Sequence, residues 1–212
     1  EVEGPISALQ TRGTVTVVRR GTAGPPSGVR WRGTLDLRRF RFARSMTADV
    51  RDLDLALLAA LRPNLRLAGA VTGRLEAAAQ RDGSIRFAAS VQHRVGDGPA
   101  STLEGAGSFS ARADRPALDL RVDAHPLAFA ALADAIPGFA ELTGDARGPI
   151  TITGALDDLH LDADLETSAG RLAVRGRFDL LAEAPSYEVE GSVTSFHLEN
   201  VVPRLPPLAL TA

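Results

Sequence analysis

The sequence contains no cysteine and no lysine, and both absences remove classes of function. Without cysteine there is no disulfide framework and no thiolate metal site. Without lysine there is no phosphate-binding loop of the kind in which a glycine-rich turn ends in lysine. The 24 basic residues are all arginine, and 26 acidic residues bring the formal net charge to −2. Nucleic-acid-binding proteins carry a basic patch or stripe, so we expect no nucleic-acid partner.

Long apolar runs and aromatic residues are also scarce. No stretch approaches the roughly 20 apolar residues that a membrane span needs, and aromatic residues make up 5% of the chain. A packed interior would therefore consist of Leu, Val, Ala and Gly. The sequence opens on Glu1 without a signal-peptide pattern. We expect it to be part of a longer protein whose anchoring and targeting segments lie outside it.

The sequence repeats itself with a period of about 74 residues. The segment Leu61–Leu75 resembles Ile136–Ile150, and its two glycines align with two glycines in the later copy. Downstream, four apolar residues of each copy also align: Ile85, Phe87, Ala89 and Val91 with Leu159, Leu161, Ala163 and Leu165. A fixed period indicates stacked units that bury their apolar faces against their neighbours.

Strict alternation of apolar and polar residues predicts half-buried β-strands. The clearest segment is Leu159–Leu165. Six more segments show the pattern: Val29–Leu37, Ile85–Val91, Leu103–Phe109, Leu118–Ala124, Leu172–Leu180 and Tyr187–Val193. Three show it more weakly: Thr14–Val18, Leu65–Leu75 and Ile150–Leu156. Short turn segments separate them, so consecutive strands should pair as hairpins. We predict an all-β, mainly antiparallel sheet.

Two segments rich in Leu and Ala break this alternation. Leu53–Leu61 is followed by Pro63, and Leu127–Ile136 lies between Pro126 and Pro137. Proline suits the first turn of a helix and also ends helices, so we predict two short helices. Each would open a repeat, which divides the chain into the strand part of an incomplete first repeat (1–52), a first copy (53–125), a second copy (126–196) and a further degenerate copy or tail (197–212).

Glycines recur inside the predicted strands, often on the apolar side. Strand glycine costs stability and usually marks a bend, a bulge or a close approach. Repeated glycines such as Gly73, Gly107 and Gly176 could therefore curl the sheet over on itself. Two arrangements compete. In a sandwich, which packing physics alone favours, the apolar face meets a second sheet and forms a dry core. In a folded-over sheet, it lines a U-shaped groove able to hold acyl chains.

Fifteen residues of the alternating segments are candidates for the lining of such a groove. They occupy the apolar positions of their alternating segments, and their side chains have almost no polar atoms. They are Ile85, Phe87, Val91, Phe109, Leu118, Leu120, Val122, Leu159, Leu161, Leu165, Leu172, Val174, Phe178, Tyr187 and Val189.

No catalytic motif is present. The chain has neither a nucleophile elbow nor a paired-His zinc helix, and its four histidines are scattered. His160, Asp162 and Asp164 occupy alternate positions of one strand, which is compatible with a metal site, but a solvated outer face explains them more simply. We therefore expect no enzymatic activity, no cofactor and no bound metal.

The segment Leu142–Leu180 resembles the repeats of the TamB/AsmA-like family of bacterial envelope proteins. The shared pattern starts with Gly-x-x-x-Gly and continues with alternating apolar residues. Its later Leu positions fall on Leu156, Leu159, Leu161 and Leu165, with Asp157 in the turn. Its closing strand pattern falls on Gly170, Leu172, Val174, Gly176 and Phe178. Residues 61–109 match this pattern more loosely, and residues 1–50 resemble it only in their general mix of residue types.

The resemblance implies a long U-folded sheet, or β-taco, with an apolar interior. It implies a location in the periplasm, where such a protein is tied to the inner membrane by an N-terminal segment that lies outside this sequence. The expected function is a non-enzymatic segment of a bridge that passes phospholipid or another acyl-chain lipid between the inner and outer membranes, or serves envelope assembly with other envelope proteins. A structural or accessory interaction module of an envelope membrane complex is the alternative.

Overall fold

The structure, a computed structural model, describes residues 1–5, 7–18, 26–36, 41–59, 68–110, 115–131, 143–182, 186–197 and 209–210. Twelve strands form one sheet in chain order. They are β1 (Val2–Glu3), β2 (Leu9–Val17), β3 (Ser27–Asp36), β4 (Arg41–Asp54), β5 (Ala70–Ala79), β6 (Ser84–Arg94), β7 (Ser101–Ser110), β8 (Ala117–Ala128), β9 (Asp145–Ala155), β10 (Asp158–Thr167), β11 (Gly170–Asp179) and β12 (Ser186–Thr194). Two short strands, β13 (Phe196–His197) and β14 (Ala209–Leu210), form a separate pair.

The large sheet is an antiparallel meander. Every strand pairs antiparallel with the strands before and after it, and the two end strands, β1 and β12, each pair with one strand of the sheet. The sheet is therefore curled but unclosed. Within the described residues it does not divide into two facing sheets, so the sandwich arrangement is not observed. The predicted all-β, antiparallel fold is confirmed.

Each alternating segment lies largely in a strand, although end residues such as Val18, Gly69 and Leu180 are described outside the strands. The sequence analysis missed β4, which runs from Arg41 to Asp54 between β3 and β5. Its residues Met46, Ala48 and Val50 alternate with polar ones and pair with apolar positions of β3. Ala is depleted in strands, and only Val50 of these three residues is a strong strand former, so the strand signal in the sequence is weak.

The prediction of two short helices is wrong for the described residues. β4 extends through Leu53, which pairs with Val71, and β8 extends through Leu127, which pairs with Ala146. Only one helical turn, α1 (Ala56–Ala59), follows β4, and one 3₁₀ turn, at Phe129–Ala131, follows β8. Residues 60–61 and 132–136 of the predicted helices lie outside the described residues. Helix propensity is a weak local preference that pairing with other strands can override. Here the residues at the start of each predicted helix, Leu53 and Leu127, pair within the sheet instead.

The repeat is visible in the hydrogen bonds as well as in the sequence. Buried Ser27 opens β3 and buried Ser101 opens β7, 74 positions later. The Oγ of Ser27 accepts from the N–H of Asp54 at 3.2 Å, and the Oγ of Ser101 accepts from the N–H of Ala128 at 2.9 Å. Each bond lies at the end of a strand, because β4 ends at Asp54 and β8 ends at Ala128. The division of the chain at residues 52, 125 and 196 stays a prediction.

The tightly packed part of the protein is small. Phe129, Ala146, Ala163, Leu165 and Ala169 form one buried cluster, with Ile150 and Val174 packed against it. Of the large apolar side chains that the structure describes, only Phe129, Leu159 and Leu165 are buried. Most of the apolar side of the sheet is half-buried.

Candidate functional site

The strand register determines which residues share a face of the sheet. Residues directly opposite in an antiparallel pair project to the same side, and side chains alternate along each strand. Following the pairs from β6 to β12 gives unbroken rows. One row is Phe87, Gly107, Leu120, Ile152, Leu161, Gly176 and Val189. The next is Ile85, Phe109, Leu118, Gly154, Leu159, Phe178 and Tyr187.

All fifteen candidate residues lie on this one face, which we call the apolar face. The remaining candidates fall in two more rows. One contains Val122 and Val174, and the other contains Val91, Leu165 and Leu172. The structure therefore brings the whole predicted set together on adjacent strands. Their contact with lipid stays a prediction.

The same face continues onto strands that the candidate set left out. Val29, Trp31 and Gly33 of β3 lie opposite Val50, Ala48 and Met46 of β4, and these join the rows of β5 and β6. Ile152 of β9 lies between the candidates Leu120 and Leu161, and Ile150 lies between the candidate Val122 and Ala163. The alternation of Met46, Ala48 and Val50 is the sequence signal that would have extended the set.

Exposure varies across the apolar face. Leu159 and Leu165 are buried, whereas Phe87, Leu120, Leu161 and Phe178 are half-buried. Ile85 is 41% exposed, and on the last strand Val189 is 51% and Tyr187 74% exposed. Burial is thus deepest around the Phe129 cluster and decreases toward β12. The half-buried part has no second sheet against it among the described residues.

Glycines on the apolar face allow neighbouring strands to approach closely. A Cβ at Gly107 would collide with the backbone carbonyl oxygen of Asp119 on the next strand. At Gly148 the backbone has a φ of +138°, and a Cβ there would collide with the carbonyl oxygen of Asp164. Only glycine fits such positions without strain. The predicted bending role of strand glycines therefore has a steric basis in this curled sheet.

The opposite face is polar and carries a ladder of ion pairs. Arg177 Nε lies 2.6 Å from Asp158 Oδ1, and Arg175 Nε lies 3.3 Å from Asp162 Oδ2. Arg171 forms a two-pronged contact with Asp164. The hydrogen bond from Arg177 lowers the pKa of Asp158, and the bond from Arg171 lowers the pKa of Asp164. These carboxylates are therefore held ionised by neighbouring guanidinium groups.

His160 belongs to the polar face, exposed and 3.3 Å from Asp158. Within the described residues, no group of three or more His, Cys, Asp or Glu side chains is placed to hold a metal ion. Asp162 and Asp164, which shared the metal interpretation with His160, are instead paired with arginines. The arrangement is that of a solvated outer face.

Open depressions also lie on the polar face. One, of about 490 Å³, lies over β5 to β8 and is lined by Arg74, Glu104, Arg121 and their neighbours. Another, of about 360 Å³, lies over β9 to β12 around His160 and Arg177. Both are shallow furrows between rows of cross-strand charges.

Among the described helical residues, no helix has the length and apolar character that a membrane crossing requires. No family model, curated protein or solved structure matches this chain.

Proposed function

We propose that this chain is a non-enzymatic, lipid-holding segment whose apolar face accommodates the acyl chains of phospholipid. The observation that carries the proposal is the continuous apolar face of a single unclosed sheet, half-buried from β3 to β11 and exposed on β12. Soluble proteins rarely leave contiguous apolar surface of this extent uncovered, and where they do, it marks a binding groove or an interface.

The chemistry of the face suits an acyl chain. Leu, Val, Ile and Phe side chains line it, and the glycines between them leave space on the surface. Each CH₂ group that leaves water contributes roughly 0.8 kcal/mol, so a few contacts along a chain outweigh the cost of ordering it. The polar groups lie on the other face in cross-strand ion pairs. Binding would therefore depend on the acyl chains rather than on a particular head group.

In this proposal the curled sheet acts as a U-shaped groove, the β-taco of the TamB/AsmA-like family that the sequence resembles. The protein then lies in the periplasm, anchored to the inner membrane by a segment outside this sequence. It forms part of a bridge that passes phospholipid between the inner and outer membranes or serves envelope assembly. This placement is supported by the resemblance at Leu142–Leu180, and the groove by the curl and the apolar face.

The second candidate is a structural or accessory interaction module of an envelope membrane complex. The observation that favours it is the buried cluster that Phe129 shares with Ala163 and Leu165, where the apolar face is closed rather than open. If the apolar face is filled along its length in this way, it holds no acyl chain and serves to stiffen the sheet.

Lipid extraction and binding distinguish the two candidates. We expect the purified protein to carry phospholipid detectable by mass spectrometry and to bind a phospholipid with a fluorescent acyl chain. A soluble analogue with the same head group and no long chains should not compete. Protein that carries no lipid and does not bind the labelled phospholipid would contradict the proposal and leave the structural module as the function.

A further inference from the structure

The last strand of the sheet, β12, has an open edge. It pairs with β11 along one side over Ser186–Thr194, and the strand order of the described residues ends there. Eight of its nine residues are exposed, Val193 being half-buried. Its outer edge therefore presents a row of backbone N–H and C=O groups without a strand partner in the described part of the chain.

Natural sheets usually protect such an edge by shortness, proline, a bulge or charged side chains. At the opposite edge, the two-residue strand β1 pairs with only Gln10 and Thr11 of β2. β12 has charged side chains, Glu188 and Glu190, but none of the other protections. It has nine residues, contains no proline and keeps an unbroken register with β11. Tyr187 and Val189 are exposed on its apolar side. The edge is thus a complete template for one more antiparallel strand.

The charges on β12 indicate which strand fits. Its outward charged residues are Glu188 and Glu190, and β11 places Arg177 and Arg175 directly opposite them. One strand further back, Asp162 lies opposite Arg175. The sign therefore alternates over these three strands, from Asp162 through Arg175 to Glu190. Opposite charges across a strand pair stabilise a sheet and like charges destabilise it. A strand that pairs with the outer edge of β12 is therefore favoured if it places cations opposite Glu188 and Glu190.

We propose that the free edge of β12 binds an antiparallel strand that carries two cationic side chains at alternate positions, opposite Glu188 and Glu190, and apolar side chains on its other face. Such a strand would extend the apolar face beyond Tyr187 and Val189. The inference rests on the register and charges of β12 and does not require that the face hold lipid.

A second copy of the chain does not meet this requirement. When two β12 strands pair antiparallel over their full length, the Glu190 side chains of the two copies face each other across the pair. If one strand slides so that Glu190 of one copy lies opposite Glu188 of the other, like charges again face each other. The other edge of the sheet offers Glu3 on β1 and one cation, Arg12 on β2, which is already paired with Glu1. The glutamates thus admit a strand with two cations and oppose self-pairing of β12 in these two registers.

The test uses the whole chain and a synthetic ten-residue peptide with the sequence of β11, GRLAVRGRFD, because β11 already pairs with β12 in this manner. Binding is measured by fluorescence anisotropy of the labelled peptide and located by amide chemical shifts. We expect shifts in β12 and none in β10, which excludes replacement of β11. The control peptide carries Arg175→Glu and Arg177→Glu. It should bind about tenfold more weakly, since two attractive pairs become repulsive.

A protein variant gives the reciprocal control. In Glu188→Gln/Glu190→Gln the two peptides should bind with equal affinity, and a far-UV spectrum verifies that the sheet is retained. If this variant does not fold, the comparison of the two peptides on the parent protein still decides. Equal binding of both peptides to the parent, no binding, shifts outside β12, or dimers of the protein alone in sedimentation would each overturn the proposal.

Discussion

Leu161 and Leu165 offer a matched test of how open the apolar face is. Both lie on β10, both project to the apolar face, and the same substitution can be made at each. Leu161 is half-buried opposite Gly176, whereas Leu165 is 7% exposed in the Phe129 cluster. We expect Leu161→Asp to leave the protein folded and weaken its binding of lipid, and Leu165→Asp to unfold it.

The magnitudes follow from burial. Full burial of a leucine side chain contributes about 1.5–3 kcal/mol, so a half-buried one loses about 1 kcal/mol when it becomes Asp with its carboxylate in water. For a chain of this length that lowers the Tm by about 2–4 °C. At Leu165 the same change also buries an unpaired charge, which raises the cost to several kcal/mol. Such a loss is comparable with the total stability of a domain, about 5–15 kcal/mol.

The assay combines thermal melts with titration of a phospholipid carrying a fluorescent acyl chain. The expected pattern is a small Tm change and weaker lipid binding for Leu161→Asp, and the loss of a cooperative melt for Leu165→Asp. If Leu161→Asp destabilises the protein as much as Leu165→Asp, the face is closed at Leu161 and the reasoning from exposure is wrong. A folded Leu161→Asp variant that binds lipid like the parent refutes the role of Leu161 in the groove.

Three further results are expected. Gly107→Ala should lower the free energy of unfolding in urea by about 1–3 kcal/mol, because the new Cβ collides with the backbone of the next strand. In Gly191→Ala the new Cβ would lie 3.7 Å from the nearest atom, so this free energy should stay within about 1 kcal/mol of the parent. Equal effects of the two substitutions would contradict the close approach at Gly107. Ser101→Ala should cost about 1–3 kcal/mol because it leaves a buried N–H of β8 unpaired, and an unchanged urea midpoint would refute this. The hydrogen bond from Arg177 lowers the pKa of Asp158 below its ordinary 3.8. The pair therefore stabilises the fold above pH 3.8, and this stabilisation is lost as the pH falls through the lowered pKa. Asp158→Asn should lose less stability than the parent on acidification, and an identical acid-unfolding curve would count against the pair.

The sequence was sufficient to predict most of the strands, β4 being an exception, and their shared face, because both depend on local alternation. Once Leu159, Leu161 and Leu165 are in phase on one strand, and hairpins connect the strands, the apolar residues must lie on one side of the sheet. The repeat period likewise needed no structure, since it is visible as aligned glycines. These features require only the pattern within about ten residues and the order of the segments.

The features that the sequence analysis missed depend on contacts between distant residues. Leu53 and Leu127 lie in Leu/Ala-rich segments that favour helix on their own, but each pairs with a strand roughly 20 residues away and continues the sheet. The burial of Phe129 also arises from packing onto β10 rather than from its local sequence. The open edge of β12 became evident only from the strand order.

The chain-order meander has a consequence for the way this protein is made. Each pairing joins consecutive strands, so every hydrogen-bonded ladder closes a short loop and costs little entropy. Slow folding of β proteins comes mainly from pairing of strands that are far apart in sequence, and here that step is absent from the twelve-stranded sheet. During synthesis each new strand can add to the edge formed by the previous one as soon as it leaves the ribosome. The sheet can thus grow in the direction of translation, with its most recent strand always at the growing edge.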